Sequence, residues 1–71
     1  MRSNKDFIEL TGNFNKKFLI NKANIVYVTK SENESDEQAV IMVEDGDRSM
    51  RIIAKETYKN VAEELLWEAR E

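Results

Sequence analysis

"QAVIMVEDGDRSMRIIAK", Gln38 to Lys55, running directly into "ETYKNVAEELL", Glu56 to Leu66, is the stretch that decides the fold. Its first part reads as a hairpin. Gln38 to Glu44 has an apolar centre on both faces, Asp45-Gly46 is the strongest short turn signal in the chain, and Arg48 to Lys55 is the returning strand. In the second part the apolar period changes from two to that of a helix. Tyr58, Val61, Ala62, Leu65 and Ala69 recur at i, i+3, i+4, i+7 and i+11, one stripe of an amphipathic helix. Glu56 and Thr57 suit its start, because oxygen acceptors and acid complement the free N–H groups and dipole there. Lys59 and Glu63 add an i,i+4 pair.

Upstream of the hairpin, Asp6 to Thr11 alternates Ile8 and Leu10 against Glu9 and Thr11, a half-buried strand. "GNFNK" supplies Gly12 and asparagines that tolerate positive φ, so it turns the chain into a second strand at Lys17 to Asn21. After the short connection "NKAN" comes "IVYVTK", Ile25 to Lys30, dense in β-branched and aromatic side chains. The fold expected is therefore α+β: a five-stranded antiparallel meander with one C-terminal helix. Seventy-one residues make a single domain, with 1–5 a disordered tail, 6–55 the meander and 56–70 the helix.

A chain this short buries only about 60% of its unfolded surface, and no Cys is present to staple it. Apolar residues also fall on both sides of the strands: Phe7 opposes Ile8 and Leu10, Leu19 opposes Phe18 and Ile20, and Ile53 opposes Met50 and Ile52. Ile25 and Tyr27 oppose Val26 and Val28 in the same way. One helix covers one face of such a sheet, so the other face either curls into a small barrel or meets a second chain. At about 100° per residue Trp67 lies about 180° from Tyr58, on the helix side of Lys59, Glu63 and Arg70. There it either folds back over a sheet edge or contacts a partner. Trp67, Tyr27, Leu19 and Ile53 are the expected contact residues, and the expected partner is another copy of the chain or a different protein.

The composition removes much catalytic chemistry. With neither Cys nor His there is no thiol nucleophile, no side chain that titrates unaided near neutrality, and none of the usual ligands for zinc, copper or haem. The serines have no G-x-S-x-G context, and two isolated glycines do not make a phosphate loop. Glu32, Glu34 and Asp36 alternate as in a calcium loop, but the glycine is missing and Val43 stands where a bidentate Glu is needed. An enzyme is not expected, and neither is a cofactor. The run "ENESDE", Glu32 to Glu37, carries four acids and no base, so against a total of −3 the rest of the chain carries +1. Lys16, Lys17, Lys22, Arg48, Arg51 and Lys55 can gather beside Phe14 and Tyr27, but Glu44, Asp45 and Asp47 dilute them, and nucleic acid is not the expected partner. The amino terminus has no apolar signal core, and no stretch approaches the ~20 apolar residues of a membrane span, which makes the cytoplasm the expected location.

"IELT" (Ile8 to Thr11), "FLIN" (Phe18 to Asn21) with Ile25, the Asp45-Gly46 turn and "IIAKET" (Ile52 to Thr57) with Val61 together resemble the small flagellar-associated FlbD/SwrD-like family. The resemblance spans about Phe7 to Leu66 and implies a small non-enzymatic protein linked to motility, with no functional residues to carry over. The chain departs from that family in its acidic loop Ser31 to Glu37, its residues before Phe7, and Trp67. Strands followed by a helix are also similar in layout to the carbon-storage regulator family of RNA-binding dimers, although a pI near 5.0 counts against that function.

Overall fold

The hairpin read from Gln38 onward is the longest ladder of the molecule, described here from a computed structural model covering residues 1–32 and 37–69, with side chains through Leu66. In chain order the elements are β1 (Arg2–Ser3), β2 (Phe7–Thr11), β3 (Lys17–Asn21), β4 (Ile25–Lys30), β5 (Gln38–Asp45), β6 (Arg48–Thr57) and α1 (Tyr58–Ala69). Asp45 pairs with Arg48, so the loop residues of the hairpin are Gly46 and Asp47, one position beyond the pair read from sequence. Gly46 has φ +66 while Asp47 stays at ordinary negative φ, the pattern of a II′ turn whose twist matches the flanking strands.

The chain is α+β, but its strands do not form one five-stranded sheet. They divide into two antiparallel three-stranded sheets, β1-β2-β3 and β4-β5-β6. The break falls between β3 and β4, where Lys22–Asn24 forms a 3-10 turn held by the Asn21 side chain accepting from the Ala23 N–H at 2.9 Å. That turn carries the chain from one layer to the other in place of a paired hairpin. The sixth strand comes from the segment expected to be a disordered tail. Asn4 Oδ1 accepts from the N–H groups of Asp6 and Phe7, both at 2.8 Å, folding the chain back so that Arg2 pairs with Glu9 and Ser3 with Ile8. Ser3 Oγ also donates to Glu64 on α1.

Both sheets turn one face to a shared core. Ile8, Leu10 and Ile20 come from the first sheet, Ala39, Ile41, Ile52 and Ala54 from the second, and Val61 from the helix. Tyr58 and Leu65 pack against the same cluster, so the helix stripe points inward as its spacing requires. The helix begins two residues later than expected. β6 runs on through Thr57, whose hydroxyl then accepts from the Asn60 N–H at 3.2 Å and caps the first turn. A Cα radius of gyration of 11.6 Å matches the roughly 11 Å of a compact chain of this length. Among the described residues, no helix is long and apolar enough to cross a membrane.

Candidate interaction surfaces

In β4 the alternation expected from sequence is broken by a bulge. The register with β5 shifts between Ile25 and Tyr27, so Ile25 and Val28 both pack against the core while Val26 and Tyr27 are both exposed. Past the bulge, Tyr27 aligns with Met42 and Arg51, and Thr29 with Val40 and Ile53. These two cross-strand rows lie on the face of the second sheet turned away from the core, with Tyr27 at 44% and Ile53 at 43% exposure. Tyr27 and Ile53 therefore share one surface. Thr29, Lys30, Val40 and Arg51 line the same depression.

Leu19 lies elsewhere. It pairs with Glu9 on the outer face of the first sheet, 70% exposed, in a depression it shares with Arg2 and Phe7. Among the described residues its strand, β3, pairs with β2 and stands at the sheet edge. The side chain of Trp67 and the acidic residues 33–36 fall outside the described residues.

Sequence reasoning placed Phe14 with Tyr27 beside the basic residues but left it out of the expected contact residues. The turn between β2 and β3 contains a 3-10 segment, Asn13–Asn15, in which Phe14 and Asn15 both have φ 59. Asn15 tolerates the left-handed region, but a bulky side chain such as Phe14 is an outlier there. The Phe14 ring is also 99% exposed, so no packing offsets that strain. The signal legible beforehand was one aromatic between two asparagines in a turn.

Several contacts hold this turn in place. Gly12 N donates to Lys16 O at 2.7 Å and Lys16 N to Asn13 O at 3.2 Å, closing the loop. Lys55 Nζ donates to Asn15 Oδ1 at 2.6 Å, fastening it to β6. Phe18 packs so closely over Gly12 that a Cβ there would meet its ring at 2.6 Å. The Lys16 ammonium in turn sits 5.3 Å from the Phe18 ring centroid. The turn thus covers the outer edge of β6, and a depression lined by Phe14, Lys16, Met50, Arg51 and Ile53 joins it to the Tyr27 face.

Negative charge collects beside the helix. Glu56, Glu63 and Glu64 line a depression between Met1 and the helix, and Glu56 accepts from the Thr11 N–H at 2.9 Å. Among the described residues, no group of three or more acids is placed to hold a metal ion, and none of the buried residues is polar. No family model, curated protein or solved structure matches this chain.

Proposed function

We propose that the protein is a non-enzymatic interaction module that self-associates through the edge of its first sheet. The observation that carries this reading is Leu19, an aliphatic side chain 70% exposed at the centre of a regular edge strand. The edge is suited to its own copy. Two β3 strands paired antiparallel about a two-fold axis through Leu19 set Leu19 against Leu19, Phe18 against Ile20 and Lys17 against Asn21, with no like charges opposed. The outcome is a continuous six-stranded sheet whose outer face gathers Leu19 and Phe7 from both copies. The resemblance to the FlbD/SwrD-like family supports a non-enzymatic role in the same direction.

A five-residue strand pairing is a small interface, so the dimer is expected to dissociate across roughly the micromolar range. Light scattering on a dilution series should show dimer at high concentration and monomer at low. Leu19→Glu should remain monomeric throughout, because it opposes two carboxylates at the axis. A parent protein that is monomeric at every concentration, or a Leu19→Glu variant that dimerises like the parent, would overturn this reading.

A further inference from the structure

We infer that the outer face of the second sheet, together with the Phe14 turn, binds an unpaired nucleic-acid strand through base stacking and phosphate contacts. The proposal is independent of self-association, which uses the other sheet. Its foundation is Phe14, a fully exposed ring on a backbone conformation that disfavours it, fixed there by the bonds through Gly12, Lys16 and Lys55. Strain of this kind persists where the surrounding structure imposes it, and it clusters at sites that bind.

From Phe14 the surface runs without a break across the strands. Arg51 and Ile53 line both the depression at the Phe14 turn and the one that contains Tyr27. An aromatic ring therefore stands at each end of a track with an apolar floor, Val40 and Ile53, and a guanidinium between them. From β4 to β6 is two strand spacings, roughly 10 Å, with the turn beyond, a span comparable to sheet platforms on which two or three bases stack. Aromatic rings with cations beside them are the features that hold single strands without reading their sequence.

Charge complementarity selects this partner over an apolar protein. Among the described residues, the depression at Phe14 is lined by Lys16 and Arg51 and by no acid. At the Tyr27 end Lys30 stands beside Glu32, and Glu44 lies one row beyond Met42 toward the hairpin. Acids thus bound the track while its middle rows carry Arg51 alone as a charge. The total of −3 is the sum of the acidic run that begins at Glu32, on the rim of this face, of the basic residues on its Phe14 side, and of acids on the helix side such as Glu56, Glu63 and Glu64. Nothing on the track distinguishes ribose from deoxyribose, so DNA and RNA strands should bind alike.

The test is fluorescence anisotropy of labelled twelve-nucleotide oligo-dT and oligo-U, titrated with the whole protein at about 20 mM salt and upward. Both strands should bind, and a duplex of the same length should not. With Lys16, Lys30 and Arg51 on phosphates, the logarithm of affinity should fall with the logarithm of salt at a slope of about −2, and Arg51→Gln should reduce that slope by about 0.7. Phe14→Ala and Tyr27→Ala should each weaken binding about tenfold or more, while Leu19→Glu leaves it unchanged. No binding at low salt would overturn the proposal. So would Phe14→Ala and Tyr27→Ala variants that bind like the parent, since that outcome means charge attraction without stacking. A Phe14→Ala variant that loses self-association and keeps oligonucleotide binding would assign the face to a protein partner instead.

Discussion

Phe14 contributes almost nothing to the stability of this fold and a good deal to the character of its surface. Its ring is wholly exposed, and its φ of 59 is one that Asn adopts with little cost. Phe14→Asn should therefore stabilise the protein, by up to about 1 kcal/mol, seen as a higher urea midpoint at unchanged slope. The same variant should lose oligonucleotide binding. A lower midpoint would mean that the ring packs within the fold and is not displayed by it. The turn itself was legible as "GNFNK", because Gly and Asn announce positive φ. Which residues take it was not legible, since that depends on the Lys55 to Asn15 bond and on Phe18 closing over Gly12, contacts made with residues distant in sequence or on the next strand.

At the level of elements, periodicity located the β2 to β6 strands and the helix, and errors arose where one side chain overrides the pattern. Residues 1–5 lack apolar alternation, yet Asn4 folds them onto β2 by accepting two backbone N–H groups. In β4 the alternation of Ile25, Val26, Tyr27 and Val28 is consistent with either face until the bulge makes Val26 an extra, unpaired residue and shifts the alternation by one. The helix start is similar. Glu56 has the composition of a first turn, but its carboxylate is engaged by the Thr11 N–H, so β6 continues and Thr57 becomes the cap. Thr57→Ala should cost about 1 kcal/mol in urea unfolding followed by far-UV circular dichroism, and Thr57→Ser should retain most of the parent stability. Equal midpoints for the two variants would show that the hydroxyl does not hold the helix start.

For the whole molecule, the excess of apolar strand surface is resolved by layering: the 3-10 turn at Lys22–Asn24 puts two small sheets face to face, and each hides one side. The expected contact residues are divided by the same turn, Tyr27 and Ile53 on one outer face and Leu19 on the other. Alternation set Leu19 opposite Phe18 and Ile20, and Ile53 opposite Ile52, while the bulge turns Tyr27 outward and the break between sheets assigns the three to separate surfaces. Ile52 and Ile53 test that division most directly, being chemically identical neighbours on opposite faces of β6. Ile52 is 3% exposed and sits in a row with Ile41 and Val28, whereas Ile53 aligns with Val40 and Thr29 on the open side. Ile52→Ala leaves a cavity in the core and should cost about 2–5 kcal/mol. Against a total stability of roughly 4–10 kcal/mol for a domain of this size, that loss leaves much of the population unfolded on warming. Ile53→Ala should shift the urea midpoint by less than about 1 kcal/mol, because water already reaches the side chain. The reverse order would mean that β6 has slipped by one residue, which exchanges every inward and outward side chain of the strand and takes Arg51 and Ile53 off the surface together.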